Sequence, residues 1–301
     1  MSRRPTGGSS NFKEDTDVRV GFVGLGRMGH PMASHIAASA HDVIAFDLSE
    51  EARSRASDAG LNVARELSEL ADAQLICSSL PATEHVEAVF LGEHGLAAMV
   101  APGTVCADMS TISIAASRAL AVECEQRGIS FLDAPVSGTS IHAEAGTLVV
   151  MVGGTATAFE VAQPVLDCFA AEVAHVGENG TGLELKLITN RLLTTHLVAI
   201  AEAVVSIEKT SLSMDQCLTL LRAGAVPRLL DYKASPMADR DFTPMFTVDL
   251  MRKDLRLAAG ELPPTALSSA AHEIVEETSE MGLGDEDLAA LITIVEQRFE
   301  S

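Results

Sequence analysis

The amino-acid sequence predicts an α/β domain followed by an all-α domain, and two observations support this division. Short apolar runs typical of β-strands alternate with helical patterns up to about residue 176, an order typical of a parallel sheet with helices on both faces. Beyond the glycine-rich stretch 177–182 the strand patterns stop and helical patterns follow. We therefore predict a sheet domain over 18–180 and a helical domain over 181–301, preceded by a flexible tail over 1–17.

Length, composition and charge limit what this chain can do. Its 301 residues suit two modest domains, and 47% apolar residues suffice for a sizeable core. The formal charge of −21 argues against nucleic acid or an anionic membrane as the main partner, although a local group of cations can still bind a small anion. We find neither a run of ~20 apolar residues, as a membrane span requires, nor a secretory signal pattern. The five cysteines lack CxxC spacing, which favours a cytoplasmic protein with reduced thiols.

Each predicted strand is a short apolar run. The strands are predicted at 18–23, 43–46, 74–78, 104–107, 129–132, 148–152 and 173–176. Helices are predicted between many of them, at 28–38, 49–59 and 115–127. The last two strands follow closely after 133–145, so we expect that end of the sheet to be mixed or antiparallel.

The helical domain is predicted to start with one long helix. No Gly or Pro occurs between Leu183 and Lys209, and the apolar residues have helical spacing, which would give a helix ~40 Å long. A second helix is predicted to begin at Ser213, because Ser213 and Gln216 have the spacing of a capping box. A further helix over 251–259 is predicted to stop before Gly260.

The first strand runs into a glycine-rich loop with the spacing GxGxxG. The loop consists of Gly24, Leu25, Gly26, Arg27, Met28 and Gly29. It follows an apolar strand, precedes a helix and has Asp47 at the end of the next strand, which is typical of a Rossmann-type dinucleotide-binding domain. Gly24 allows the tight turn, Gly26 lets the backbone approach a pyrophosphate, and Gly29 lets helix and strand pack closely. The helix N-terminus offers free N–H groups to the phosphates.

Asp47 bears on which dinucleotide is bound. A carboxylate at this position accepts hydrogen bonds from the ribose 2′-hydroxyl and repels a 2′-phosphate. No arginine follows Asp47 in the next three residues, so the sequence favours NAD over NADP. Capping of the following helix is an alternative role for Asp47, but Ser49 can serve that role instead.

Lys186 and Asn190 lie four residues apart near the start of the predicted long helix, so their side chains share one face. A lysine can deliver or remove the proton that accompanies hydride transfer, provided that burial or a nearby cation lowers its pKa. Asn190 can hold that lysine or a substrate oxygen. From spacing alone, a solvated lysine on a helix surface remains the alternative.

A stretch rich in turn residues, 133–148, follows the strand predicted at 129–132. Parallel sheets bind ligands beyond the carboxyl ends of their strands, which is where this stretch begins. Ser137 and the N–H groups of Gly138 and Thr139 can form a backbone nest for a carboxylate. A purely structural loop is the alternative interpretation.

Several short motifs occur in a fixed order along the chain. They are the loop 24–29, Leu80-Pro81, 108–111, 133–138, Lys186 with Asn190, Phe246 with 253–258, and 284–287. This ordered set, spanning about residues 18–295, resembles the β-hydroxyacid dehydrogenase family, which includes 3-hydroxyisobutyrate dehydrogenase and tartronate semialdehyde reductase. The resemblance implies an NAD-dependent oxidoreductase that interconverts a small 3-hydroxy acid and its aldehyde or ketone acid, without a metal ion.

The resemblance also implies roles for individual residues. Lys186 would be the catalytic acid and base, and the charge of Lys253 would lower its pKa. The substrate acid would be bound by Ser137, Gly138, Thr139, Asn190 and Lys253. Beyond the glycine-rich loop and Asp47, the cofactor would contact Leu80, Pro81, His85, Thr111, Phe246 and Lys253. The family further implies a homodimer or homotetramer that acts on a small carboxylate or other anion.

The chain departs from the family pattern at the substrate-binding loop. Thr139 and His142 stand where the family usually has glycine, which narrows the carboxylate pocket and adds a titratable donor near it. We therefore expect a substrate other than plain 3-hydroxyisobutyrate. The alternatives are an imine reductase of the same fold and a non-catalytic NAD-binding interaction protein. Such relatives usually lack the catalytic lysine, so Lys186 argues against both.

Overall fold

The computed structural model describes residues 18–39, 41–223 and 230–300. The tail predicted over 1–17 lies outside these residues. Within the described residues, nine strands form a single sheet. They are β1 (Arg19–Val23), β2 (Asp42–Phe46), β3 (Asn62–Val63), β4 (Leu75–Ser78), β5 (Val105–Asp108), β6 (Ser130–Asp133), β7 (Val136–Ser137), β8 (Leu148–Gly153) and β9 (Ala170–Gly177).

The strand order is β3-β2-β1-β4-β5-β6-β8-β7, with β9 paired to β8. Neighbouring strands from β3 to β6 are parallel, whereas β8 is antiparallel to β6 and β7 and parallel to β9. The predicted mixed end is therefore confirmed. Strands β3 and β7 were not predicted, because two residues are too few to show the alternation of apolar and polar residues that marks a strand.

The loops after β1, β2 and β4 leave the sheet side by side, because Val23 lies opposite both Phe46 and Ser78 in the register. The chain passes from β1 to β2 on one side and later returns to add β4 on the other side. Open α/β sheets form a ligand-binding crevice where the strand order reverses in this way. The glycine-rich loop therefore lies at the place in the sheet where a dinucleotide is expected.

Six α-helices accompany the sheet in the part of the chain that the structure describes. They are α1 (Gly29–Ala38), α2 (Glu50–Asp58), α3 (Thr83–Leu91), α4 (Ile114–Glu125), α5 (Ser140–Glu144) and α6 (Ala156–Leu166). Six more follow the sheet in the same described part. They are α7 (Thr181–Glu208), α8 (Met214–Ala223), α9 (Leu230–Asp239), α10 (Val248–Glu261), α11 (Ala266–Thr278) and α12 (Ile292–Glu300).

Helix α10 is longer at both ends than the predicted 251–259. The Thr247 hydroxyl caps its first turn by accepting from the Leu250 N–H at 3.3 Å, which the apolar pattern alone does not reveal. At the other end Gly260 lies inside the helix, because the Leu262 N–H still donates to the Ala258 carbonyl. A glycine costs a helix only about 1 kcal/mol, so the helix does not stop before Gly260 as predicted.

Helix α7 belongs to two hydrophobic cores. Near its start, Leu183 and Leu187 pack with the buried cluster on one face of the sheet. Farther along, Leu197 and Val204 pack with residues of α9 to α12 in a second cluster. By length and hydropathy α7 could cross a membrane, but here it is the central core helix of the helical half. The buried polar side chains on its first turns therefore lie where sheet and helices meet.

Candidate active site

The glycine-rich loop has the space that a pyrophosphate requires. Gly24 has a φ of +95°, in the left-handed region, and an added Cβ would lie 2.3 Å from the Ser79 carbonyl oxygen. A Cβ on Gly29 would lie 1.9 Å from the Gly24 carbonyl oxygen. In contrast, apart from Gly26 and its two neighbours in the chain, no residue that the structure describes has an atom within 4 Å of the Cβ position of Gly26. Gly24 and Gly29 thus hold the loop in shape, and the backbone at Gly26 is open to a ligand.

Asp47 connects the glycine-rich loop to the start of α2. Its Oδ2 accepts from the Leu25 N–H at 2.7 Å, and its Oδ1 accepts from the Ser49 N–H at 2.8 Å. Each carboxylate oxygen has two acceptor sites, so both can still accept from ribose hydroxyls. Ser49 caps α2, because its hydroxyl accepts from the Ala52 N–H at 3.3 Å. The residues present at this end of the sheet therefore fit the adenosine part of a dinucleotide.

The other members of the loop differ in what they expose. The Leu25 side chain is buried in the core. Met28 is partly buried against the same core. The Arg27 guanidinium donates to the Pro244 carbonyl at 2.9 Å. This bond joins the glycine-rich loop to the segment before α10 and so links the two halves of the chain beside the crevice.

A buried hydroxyl and carboxylate network shapes the next two loops. Asp108 Oδ1 accepts from the hydroxyls of Ser78 at 2.7 Å and Ser110 at 2.6 Å. The Ser110 hydroxyl in turn accepts from the Leu80 N–H at 2.8 Å. Burial raises the pKa of Asp108, while Ser110, Ser78 and Lys253 oppose that rise. The network fixes the backbone at Leu80, and the predicted contacts Pro81 and His85 follow on the exposed side of that loop and on the first turn of α3.

Asp133 attaches the start of α7 to the sheet. Its Oδ1 accepts from the Gly180 N–H at 2.6 Å and its Oδ2 accepts from the Leu183 N–H at 3.0 Å. A carboxylate stabilises a helix N-terminus by satisfying free N–H groups. Burial nevertheless raises the pKa of Asp133 to about 6. The strand end and the first turn of α7 thus form one rigid unit, which fixes where Lys186 and Asn190 lie.

Lys186, Asn190 and Asp254 form a buried polar cluster between α7 and α10. Lys186 is 8% exposed, Asn190 1% and Asp254 3%. The Asn190 Nδ2 donates to Asp254 Oδ2 at 2.6 Å. An ionised carboxylate can only accept, so this bond requires the amide nitrogen of Asn190 to face Asp254. The Asn190 Oδ1 is then the atom that can accept a further hydrogen bond.

Lys253 completes this cluster from α10. Its Nζ lies 3.0 Å from Asp254 Oδ1 and donates to the Thr111 carbonyl at 2.7 Å. Thr111 lies in the loop after β5, so the bond holds α10 against the sheet at the predicted cofactor crevice. The structure thus brings together four of the predicted site residues: Lys186, Asn190, Lys253 and Thr111.

The surroundings of Lys186 lower its pKa. Burial is the largest cause, because it disfavours the ammonium form. Lys253 lowers the pKa further, whereas the negative charge of Asp254 raises it. The arrangement therefore makes the Lys186 amine easier to deprotonate than an exposed lysine, and a solvated surface lysine, the alternative reading from spacing, is wrong.

The predicted carboxylate nest is only partly available in this structure. Ser137 is half-buried at the end of β7, and Gly138 is exposed with a φ of +137°. The Thr139 N–H, however, donates to His142 Nδ1 at 3.2 Å. The expectation that this amide is free to bind a substrate carboxylate therefore needs correction, because His142 already accepts from it.

Phe246 lies in a segment organised by a buried ion pair. Lys233 and Asp287 are hydrogen-bonded and both buried. The other oxygen of Asp287 accepts from the N–H groups of Met245 at 2.9 Å and Phe246 at 3.2 Å. Phe246 itself packs on the helical core. Asp287 thus holds the segment before α10 in place, and the Pro244 carbonyl of that segment accepts the hydrogen bond from Arg27.

Sequence reasoning missed three residues that organise the site. Asp254, Asp108 and Asp287 are all buried carboxylates that accept hydrogen bonds from residues predicted to be functional, or from their neighbours. Each lies inside one of the motifs that carry the family resemblance. The carboxylate within each motif is the signal that could have identified them, because a buried charge requires a partner.

Comparison with known proteins follows the same two halves. A family model described as the NAD binding domain of 6-phosphogluconate dehydrogenase matches residues 19–177. A second model, described as NAD-binding of NADP-dependent 3-hydroxyisobutyrate dehydrogenase, matches residues 180–295. Together they cover the sheet with its helices and most of the helical half.

Individual relatives align over most of the chain. The 2-(hydroxymethyl)glutarate dehydrogenase of Eubacterium barkeri is 35% identical over 293 residues, 94% of this chain and 96% of the relative. The NAD-dependent L-serine dehydrogenase of Pseudomonas aeruginosa is 35% identical over 260 residues, 83% of this chain and 87% of the relative. The structure of Mycobacterium tuberculosis 3-hydroxyisobutyrate dehydrogenase with L-serine has a TM-score of 0.82 at 32% identity, covering 93% of this chain and 99% of that one.

These similarities confirm three predictions made from the sequence, namely the fold class, the family and NAD as cofactor. They also agree with the space at Gly26 and the carboxylate of Asp47, which fit that cofactor. The chain belongs to the β-hydroxyacid dehydrogenase family and is an NAD-dependent hydroxyacid dehydrogenase.

Proposed function

We propose that this enzyme interconverts a small 3-hydroxy acid and its aldehyde or ketone acid, with Lys186 as the general acid and base. The observation that carries this proposal is the burial of Lys186 beside Asn190, Asp254 and Lys253, where sheet and helices meet. A buried amine flanked by both charges exchanges a proton more readily than an exposed lysine.

In the oxidation direction the neutral amine of Lys186 removes the proton of the substrate hydroxyl. When bound, NAD supplies the hydride acceptor in this direction, and NADH is the hydride donor in the other. In reduction the Lys186 ammonium gives its proton to the carbonyl oxygen as negative charge develops there. The Asn190 Oδ1 accepts from the substrate hydroxyl or from the Lys186 ammonium, because the Asn190 amide nitrogen is held by Asp254.

The substrate is proposed to be a small acid, bound through its anionic group. Ser137 and the Gly138 N–H lie at the carboxyl end of β7 and can bind a carboxylate or sulfonate. The positive charge of Lys253 also favours an anionic substrate, despite the net charge of −21. Two relatives carry 2-(hydroxymethyl)glutarate and L-serine in their names, and both compounds carry a hydroxymethyl group beside a carboxylate.

Two alternatives from other functional classes are less well supported. An imine reductase of the same fold and a non-catalytic NAD-binding interaction protein would not need a buried, charge-flanked lysine. Retention of Lys186 with a lowered pKa therefore favours proton transfer to or from an oxygen substrate.

An activity assay across hydroxy acids tests the proposal directly. The panel contains 3-hydroxyisobutyrate, glycerate, threonate, L-serine, 2-(hydroxymethyl)glutarate and sulfonated analogues, each with NAD and with NADP. We expect NADH formation with at least one acid, and weaker activity with NADP because Asp47 repels a 2′-phosphate. Plain 3-hydroxyisobutyrate is not expected to be the preferred substrate. Bound NAD without turnover of any acid would contradict the proposed reaction.

Substitution of the two charged neighbours of Lys186 is expected to shift the pH profile of oxidation in opposite directions. The rate rises with pH as Lys186 loses its proton, so the rising limb reports the Lys186 pKa, which burial lowers from 10.5. The variant Asp254→Asn removes a negative charge that raises this pKa, so the limb should move to lower pH. Lys253→Met removes a positive charge that lowers it, so the limb should move to higher pH.

The measurement is kcat/KM for oxidation between about pH 6 and 11, with wild type and both variants in the same buffers, because this parameter reports the free enzyme. A general loss of folding lowers kcat/KM at every pH and leaves the limb in place. Movement of both limbs in the same direction would contradict the assignment of this titration to Lys186.

We also propose a homodimer or homotetramer in the cytoplasm, built from a cofactor domain over 18–180 and a substrate and dimerisation domain over 181–301. Leu185, Ile188 and Leu192 are exposed along one stripe of α7, and a second copy could bury them. The five cysteines are all free thiols, as expected in a reducing compartment. Light scattering on the purified protein measures the number of subunits.

A further inference from the structure

His142 lies in the predicted substrate-binding loop and changes which N–H groups of that loop are free to donate hydrogen bonds. It is the third residue of α5, and Thr139 is the residue that caps this helix. The Thr139 N–H donates to His142 Nδ1 at 3.2 Å, and the Thr139 hydroxyl lies 3.0 Å from the same nitrogen. The reciprocal bond is also present, because the Thr139 hydroxyl accepts from the His142 N–H. The two residues form a capping box with histidine in place of the usual Glu or Gln.

This capping box fixes which imidazole nitrogen carries the proton. A backbone N–H can only donate, so His142 Nδ1 must accept and cannot be protonated while that bond exists. In the neutral ring the proton is therefore on Nε2. The capping box thus removes one N–H donor from the loop, that of Thr139, and supplies another at the far side of the imidazole ring.

The His142 ring lies between the loop and the helical half of the protein. A Cβ on Gly138 would lie 3.0 Å from the His142 Cβ, so the histidine side chain starts directly beside the predicted nest. On the other side the ring meets Tyr232 of α9 edge to face, with 6.3 Å between the ring centroids. His142 is therefore a partly buried side chain at the boundary between the substrate loop and the helices.

We propose that His142 replaces the Thr139 N–H as a donor to the anionic group of the substrate, a carboxylate or a sulfonate. This inference rests on the proposed function and deepens it, because it names the residue that recognises the acid. Ser137 and the Gly138 N–H bind the same anion from the loop. The His142 Nε2–H binds it from the side facing α9, farther from the backbone than the Thr139 N–H would.

The replacement has a consequence for substrate choice. The anionic group is held about one imidazole ring farther from the Thr139 backbone than it would be if it bound the Thr139 N–H. The hydroxyl carbon of the substrate must then span a longer distance to reach Lys186. A hydroxy acid with a bulkier or more extended anionic arm fits this arrangement better than 3-hydroxyisobutyrate does. The position of the His142 donor thus gives a structural reason to expect a substrate other than 3-hydroxyisobutyrate.

Two substitutions at one position separate anion binding from helix capping. In His142→Gln the amide oxygen can accept from the Thr139 N–H while the amide nitrogen still offers a donor. In His142→Glu the carboxylate caps the helix equally well but offers no donor and carries negative charge. Ile141→Glu is the matched control, because it adds the same charge at an exposed neighbour on the same helix.

The probes are isobutyrate and isobutyramide, which have the same shape, no hydroxyl and different charge, titrated by NMR into NAD-loaded protein. We expect wild type to bind the acid about tenfold more tightly than the amide, since hydrogen bonds to charged groups are the stronger ones. His142→Gln and Ile141→Glu should keep this preference within about threefold. His142→Glu should abolish or reverse it, with amide binding little changed.

Equal preference in the Gln and Glu variants would overturn the proposal, because capping alone would then explain His142. Absence of any preference for the acid in wild type would overturn it as well. The probes cannot be oxidised, so the result is independent of turnover. If the acid preference follows His142 but no acid in the activity panel is oxidised, the proposed reaction fails while the anion contact stands.

Discussion

Replacement of Lys186 by methionine is expected to lower kcat/KM for the hydroxy acid by about 10²- to 10⁴-fold, the usual contribution of a positioned general acid or base. Methionine fills a similar volume, so the buried position between α7 and α10 stays packed. The loss should fall mainly on kcat, because the amine acts on the reacting oxygen. NAD affinity, measured by fluorescence titration, should change by less than about threefold, since burial and packing are preserved.

The control for this variant is Lys209→Met, which makes the same chemical change at the exposed C-terminal end of the same helix. It should retain kcat/KM within about twofold, as surface substitutions usually do. A Lys186→Met enzyme that keeps more than a tenth of wild-type kcat/KM would exclude Lys186 as the acid and base. Loss of NAD binding together with activity would instead assign Lys186 a structural role.

Replacement of Asp287 by alanine is expected to lower the free energy of unfolding by about 3–5 kcal/mol, because Lys233 would remain buried without its counter-charge. The same change removes the acceptor for the N–H groups of Met245 and Phe246. Urea unfolding followed by circular dichroism measures the loss. We also expect a higher KM for NAD. The segment that contains Phe246 and hydrogen-bonds to Arg27 would no longer be attached to Asp287.

Two further variants identify the origin of that loss. Glu51→Ala breaks an exposed ion pair with Arg55 and should cost less than about 1 kcal/mol. The double variant Lys233→Met with Asp287→Asn removes both buried charges and keeps an acceptor for the backbone. It should regain at least half of the stability lost in Asp287→Ala. A loss below about 1 kcal/mol in Asp287→Ala would show that the buried pair contributes little.

Local patterns predicted most of the sheet half of this protein, because most of its elements are encoded by neighbouring residues. The strand, glycine-rich loop and helix from 18 to 38 follow from apolar runs and from three glycines with separate steric requirements. Asp47 lies at the predicted strand end, and its contact with the Leu25 N–H places it beside the glycine-rich loop. These features depend on residues less than about 30 positions apart in the chain.

The contacts around Lys186 could not be predicted in this way, because they join distant parts of the chain. Asn190 and Asp254 are 64 residues apart, and Lys253 and Thr111 are 142 apart. The spacing of apolar residues does not show which buried carboxylate lies against which helix. The capture of the Thr139 N–H by His142 is local, but it depends on a side-chain rotamer, and a sequence pattern fixes no rotamer. The sequence therefore predicted Lys186, Asn190 and Lys253 as site residues, but it did not reveal the buried carboxylate of Asp254 that joins them.

The double packing of α7 has a mechanical consequence. The helix is capped by Asp133 on the sheet, packs its first turns into the sheet cluster and its later turns into the helical cluster. It contains no Gly or Pro from 183 to 208, so it lacks the usual causes of a helix kink. A hinge between the two halves near residue 180 would therefore have to break the Asp133 cap and the packing of Leu183 and Leu187 against the sheet. We therefore expect the opening that admits cofactor or substrate to occur outside α7, so that Lys186 keeps its position relative to the sheet.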